Sequence, residues 1–227
     1  MRVDVAFTPD EALSAPLAVV VDVLRATSTI TQALAAGYPR VLCCREVEDA
    51  RALREQLGEG LLGGERQAVR IEGFDVGASP REFVEPTNET LILSTTNGTR
   101  AIVTAASRCD EVLLGSLLNL AAVAGALRER QRDVAVVCAG FQGRFALDDA
   151  FCAGRIVGLL EAERGDGALA AALVSDAFPD AHAGLNARTY GPPGLEEDIA
   201  WCARESVLDA VPRFAGMVGP AAEVKLA

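Results

Sequence analysis

The sequence predicts an α/β protein, a three-layer α/β/α arrangement with a largely parallel sheet and a helical C-terminal part. Three observations lead there. Short runs of Val, Leu and Ile alternate with segments of helical spacing through about residue 163, the pattern of helices laid over a parallel sheet. Several of these runs pass straight into helix starts through Ser, Thr, Asn and Gly, as in residues 91–100, LILSTTNGTR. From Gly165 the chain turns to Ala-rich helical stretches, and no strand is expected there, even after Val211. The 227 residues read as a single domain, with 165–227 a mostly helical extension packed on it.

In order, residues 2–7 alternate polar and apolar and form a half-buried strand. Residues 17–21, LAVVV, are a fully buried strand ending at Asp22, and VLRATSTITQALAAG then has helical spacing up to a terminating Gly37. Residues 40–44 form a short strand, and 46–57 an exposed amphipathic helix closed by Gly58. Leu61 and Leu62 lead into GGER, 63–66, and then into a charged, Gly-interrupted loop containing IEGFDVGASP, 71–80, where Ser79 caps a short helix with Pro80 in its first turn. After the 91–100 junction come a strand at 111–115, a helix at 119–130, a strand at 133–139, and the segment GFQGRFALDDAFCAG, whose second half opens a helix. Helices and a turn-rich patch around 182–194 complete the chain.

The net charge of −11 excludes a nucleic-acid partner, because phosphate-backbone binding needs a basic face. The apolar run at 17–21 is cut by Asp22 and Arg25, so it is neither a secretory core nor a membrane span, and a cytoplasmic protein is expected. Six cysteines without paired metal spacing read as reduced thiols. Twenty of the 21 basic residues are Arg, and Arg25, Arg66, Arg100 and Arg144 fall at or just beyond strand ends, where a guanidinium can grip phosphate or carboxylate bidentately.

In a parallel sheet, ligands bind beyond the carboxyl ends of the strands. The carboxylates Asp22, Glu65, Asp75, Asp148 and Asp149 and the four arginines gather at such ends, beside the hydroxyl and amide run of residues 94–100. Hard oxygen ligands without a His or Cys cluster suit Mg²⁺, and a helix start with free N–H groups suits an oxyanion. Any one of these residues, taken alone, is an ordinary cap or turn residue. Together they point to metal-assisted phosphoryl chemistry: Asp22, Glu65, Asp75 and Asp149 as candidate metal ligands, Asp22, Arg25, Glu65 and Arg144 as the catalytic set, and Ser28, Thr95, Thr96, Asn97, Gly98, Thr99 and Arg100 as the substrate cradle. No Walker-type loop and no dinucleotide fingerprint is present.

Four blocks, VVVDVLRATSTITQAL, GGER with IEGFDVGASPREF, LSTTNGTRAI and CAGFQGRFALDDAFCAG, resemble the signature blocks of the 2-phosphosulfolactate phosphatase family over roughly residues 1–160. The resemblance implies a Mg²⁺-dependent acid phosphatase of α/β/α fold that converts 2-phosphosulfolactate to 3-sulfolactate on the route to coenzyme M. The family pattern has GERGG and GFDxGNSP, whereas here Gln67 and Ala68 follow Arg66, and Ala78 stands where Asn is common. These departures bear on the substrate more than on the reaction, and a host without coenzyme M would present a different small anionic phosphate ester.

Two other readings use the same residues. Residues 138–144, CAGFQGR, match the C-x5-R spacing of cysteine phosphatases, with Cys138 as nucleophile and Arg144 as anion clamp and no metal. A non-catalytic protein that binds an anionic metabolite would need only the cradle. His182, the one histidine, is expected to be a surface or packing residue. The oligomeric state is left open, a homo-oligomer included.

Overall fold

A computed structural model describes every residue except Leu13, Gln67 and Pro192. The strands are β1 (Arg2–Ala6), β2 (Leu17–Val21), β3 (Val41–Cys44), β4 (Leu61–Arg66), β5 (Val69–Arg70), β6 (Leu91–Ser94), β7 (Glu111–Gly115), β8 (Val134–Cys138), β9 (Glu163–Arg164), β10 (Pro212–Val218) and β11 (Ala221–Leu226). The helices are α1 (Ala26–Ala35), α2 (Val47–Leu57), α3 (Asn97–Ala106), α4 (Leu120–Arg130), α5 (Leu147–Gly158), α6 (Asp166–Asp176), α7 (Ala181–Asn186) and α8 (Glu196–Cys202).

Local chemistry accounts for the elements the sequence announces. Every residue of β2 is buried, as its unbroken apolar run requires. The α2 helix buries only Ala50 and Leu53 and stops at Gly58, whose left-handed backbone at φ 72° carries the chain out of the helix. Ser79 and Glu82 form a reciprocal capping box around Pro80, and the expected short helix is a single 3₁₀ turn.

All eleven strands join one mixed sheet in the order β5-β4-β6-β3-β11-β10-β7-β2-β8-β1-β9. The expectation of a strandless C-terminal part is thereby corrected. Residues 212–226 form an antiparallel hairpin in the middle of the sheet, pairing with β3 on one side and β7 on the other. The sheet is consequently two parallel groups, β4-β6-β3 and β7-β2-β8-β1-β9, joined through antiparallel strands.

Helices lie on both faces of the sheet, α1 and α3 on one and α2, α4, α5 and α6 on the other. With this pairing a flat sheet would put the carboxyl ends of β2 and β6 on opposite edges. One core cluster takes Ala18, Val20, Leu114 and Val137 from one group, Val41, Cys43, Leu91 and Leu93 from the other, and Ile30 and Ile102 from α1 and α3. One face of the sheet thus packs on α1 and α3, and the hairpin in its middle carries an irregularity between Phe214 and Gly216. On the other face, α4, α5 and α6 cover the β1, β2 and β8 group, and α2 covers β3, β4 and β6. The residues that follow β2 and β6 nonetheless meet, Gly98 lying against Ala26 and Asp22.

Candidate active site

Asp22 follows β2 and acts as the turn into α1: its Oδ1 accepts the Ala26 N–H at 3.2 Å and its carbonyl accepts the Thr27 N–H at 2.9 Å. The α3 helix starts beside it, so close that a Cβ added to Gly98 would lie 2.5 Å from the Ala26 Cβ and 3.0 Å from the Asp22 Oδ2. Only glycine lets the two helix starts meet. Thr95 Oγ1 accepts the Thr99 N–H at 3.1 Å, and Thr96, at the N-cap, makes no capping bond with its side chain. The positive ends of α1 and α3 therefore converge on one spot.

That spot is the floor of a cavity of about 750 Å³ whose lining includes Asp22, Arg25, Glu65, Arg66, Ser94, Thr95, Thr96, Asn97, Phe141, Asp148, Arg188 and Tyr190. Desolvation, reinforced by Asp148 and Glu65, pushes the Asp22 carboxyl up to about 7. Burial likewise raises Asp148, which accepts a short hydrogen bond from the Tyr190 hydroxyl. The Tyr190 ring stacks on Phe141, centroids 4.7 Å apart. Crowded carboxylates that resist ionisation are the donor set a divalent cation would relieve. Among the described residues no three His, Cys, Asp or Glu side chains stand close enough to hold a metal by themselves. Mg²⁺ needs fewer, since it takes one or two carboxylates and completes its shell with water and substrate oxygens.

Arg25 is fixed from the C-terminal part of the chain. Its Nη1 lies 2.6 Å from Asp198 Oδ2, with side chains 9% and 6% exposed, and its Nη2 stands 3.8 Å from Glu65. Asp198, on α8, also accepts a short hydrogen bond from the Ser79 hydroxyl, tying α8 to the 71–80 loop.

The structure gathers Asp22, Arg25, Glu65, Thr95, Thr96 and Asn97 around the cavity, with Gly98 packed beneath it. Other expected members sit elsewhere. Ser28 is fully buried and donates to the Val23 carbonyl at 2.7 Å, because its position on α1 faces the core. Thr99 is buried between Thr95 and the Cys44 carbonyl. Arg100 points away and pairs with Asp10. Asp75 binds Arg54 and the Leu62 N–H, each at 2.8 Å, beside α2. Asp149 spends both oxygens on backbone, accepting Val23 N–H at 2.9 Å and Gly140 N–H at 3.0 Å, so it joins two strand-end loops instead of facing the cavity. Arg144 is exposed at the tip of the loop after β8, outside the cavity lining.

Conversely, Arg188, Tyr190 and Asp198 escape sequence reasoning. They come from the turn-rich and helical tail, where no strand end marks them; the only signal is a cation and an aromatic ring two residues apart in RTYG.

A model of the family described as 2-phosphosulpholactate phosphatase matches residues 5–216. The chain belongs to the 2-phosphosulfolactate phosphatase family. Curated relatives named "Probable 2-phosphosulfolactate phosphatase" are 39% identical in Clostridium perfringens strain SM101, over 94% of this chain and 94% of theirs, and 36% identical in Clostridium novyi, over 90% and 92%. One from Thermotoga petrophila is 37% identical over 92% and 94%. The match extends through the tail, so the 2-phosphosulfolactate phosphatase family shares the segment that carries Arg188, Tyr190 and Asp198 as well as the four blocks. Ala68 and Ala78, two of the departures from the family pattern, both line the cavity, whereas Gln67 lies outside the described residues. Among the described residues no helix is long and apolar enough to cross a membrane.

Proposed function

We propose that this chain hydrolyses 2-phosphosulfolactate, or a closely similar small anionic phosphate monoester, to the free hydroxy acid and inorganic phosphate with the aid of Mg²⁺. The observation that carries the reading is the convergence of two helix starts, the Arg25 guanidinium and the crowded Asp22, Glu65 and Asp148 carboxylates on one cavity.

Asp22, with Asp148 and Glu65 beside it, would hold the cation, which when bound supplies Lewis-acid polarisation and charge neutralisation at the phosphoryl group. The chain's own residues do the rest. Hydroxyls of Thr95 and Thr96 and the free N–H groups at the start of α3 bind phosphoryl oxygens, and Arg25, immobilised by Asp198, takes another. The Tyr190 and Phe141 stack screens the reacting centre from bulk water. Water attacks phosphorus, the ester P–O bond breaks, and the departing oxygen takes up a proton.

This reading assigns the attack to water rather than to Cys138. That thiol is fully buried in β8, and burial, with Asp149 adding to it, pushes its pKa up, which weighs against a thiolate nucleophile. Cys138→Ser is expected to keep at least about a tenth of wild-type activity, and iodoacetamide to inhibit the native protein little. A folded but dead Cys138→Ser would reverse this assignment.

Phosphate release from 2-phosphosulfolactate and a panel of small phosphate esters tests the reading as a whole. Turnover should be abolished by EDTA and restored by Mg²⁺. Full activity in excess EDTA would remove the metal from the scheme, and no hydrolysis of any ester would leave an anion-binding protein.

A further inference from the structure

The cavity has three arginines, and two of them are committed. Arg25 is held by Asp198 and Glu65, and Arg66 donates to the carbonyls of Glu65 and Arg45 and to the Ser94 hydroxyl. Arg188 is different. Among the described residues no carboxylate lies within 4.0 Å of its guanidinium, and its one hydrogen bond runs from Nη1 to the Tyr190 carbonyl at 2.7 Å. Its Nε is closed to solvent and has no acceptor among the described residues. A charged donor left in that condition is costly, and an oxyanion gripped by the guanidinium after a small side-chain shift would remove the cost.

The local backbone is shaped around this side chain. At Gly191, where φ is +91°, a Cβ would lie 2.4 Å from the Arg188 Nη1, and no other side chain or backbone atom of the described residues crowds that position. The glycine therefore leaves room for the guanidinium, which lines the same cavity as Asp22, Thr95 and Asn97.

We infer that Arg188 receives a second anionic group of the substrate, a carboxylate or sulfonate carried on the carbon skeleton away from the phosphoryl group, and so selects phosphate monoesters of small acids over esters with neutral tails. The inference rests on the phosphatase reading above. The competing account is that Arg188 merely offsets the charge of its neighbour Asp148, in which case its loss would harm every ester alike.

Three phosphate esters separate the two: 2-phosphosulfolactate, 2-phospholactate, and 2-propyl phosphate, which lacks the second anion. In wild type, Arg188→Ala and Arg188→Lys, kcat and KM are measured for each. The preference for the two acidic esters over 2-propyl phosphate, as a ratio of kcat/KM, should fall at least about tenfold in Arg188→Ala, through KM rather than kcat, with partial recovery in Arg188→Lys. An unchanged ratio would overturn the assignment even if all rates fell. Calorimetric titration with 3-sulfolactate supplies a readout independent of turnover: Arg188→Ala should bind it at least about tenfold more weakly than wild type, and equal affinity would also overturn the assignment. If wild type hydrolyses no ester, the phosphatase reading fails by itself, and the titration alone decides whether Arg188 binds the acid.

Discussion

Asp22→Asn should lower kcat/KM for the phosphate ester by roughly 10³-fold while leaving the protein folded. The substitution keeps the side chain's shape and an oxygen able to accept the Ala26 N–H, so the turn from β2 into α1 survives. What disappears is a negative charge that desolvation and the neighbouring Asp148 and Glu65 already oppose. The metal-free variant should therefore melt at the wild-type temperature or above it. Mg²⁺ should raise the Tm of the wild type but not of the variant, and thermal unfolding with and without Mg²⁺ reads both effects. Activity within tenfold of wild type, or an undiminished Mg²⁺-dependent Tm shift, would remove Asp22 from the centre of the site.

Arg25→Ala should be damaging in two ways. The guanidinium is almost completely enclosed, and so is Asp198 opposite it at 2.6 Å. Deleting one member of a buried pair strands the other charge, which typically costs about 3–5 kcal/mol. In a chain of this size that corresponds to a Tm lower by on the order of 10 °C. Catalysis should fall by about 10²-fold or more as a fixed cation leaves the phosphoryl site. Adding Asp198→Asn to Arg25→Ala should recover part of the stability, because the stranded charge is then gone, but none of the activity. Denaturant unfolding of the single and double variants measures the coupling; an Arg25→Ala protein within 1 kcal/mol of wild type would show that the pair is not the anchor described here.

The parts of this fold that could be read from the sequence are those where one short segment carries the whole signal. A buried strand such as LAVVV announces itself, and so do the junctions at Asp22 and at residues 94–98, since strand, turn and helix start are contiguous. Which face a residue takes after such a junction is harder to read. Ser28 and Thr99 belong to the right segments, yet helix phase turns both into the core. Asp75, Asp149 and Arg144 follow strand ends as expected, but the first two are absorbed by neighbouring groups and the third by an exposed loop tip.

The hairpin of β10 and β11 is obscure for a different reason. β10 alternates exposed and half-buried positions, and β11 is buried through Ala221 and Ala222, residues with little strand preference. Their strand character comes from the two waiting edges of β3 and β7, partners far away in sequence.

That dependence governs how the molecule can be made. The central strands of the sheet are the last of its strands to leave the ribosome. Until residues 212–226 emerge, the nascent chain holds two unfinished pieces, one ending at β3 and the other at β7, each with a bare hydrogen-bonding edge open to pairing with a neighbouring chain. The walls of the cavity are divided between those pieces, Asp22 with one and Glu65 and Thr95 with the other. Vectorial synthesis can therefore prepare the two sides, but a lasting union between them must await residues 212–226, and the nascent protein has most need of a chaperone before they emerge.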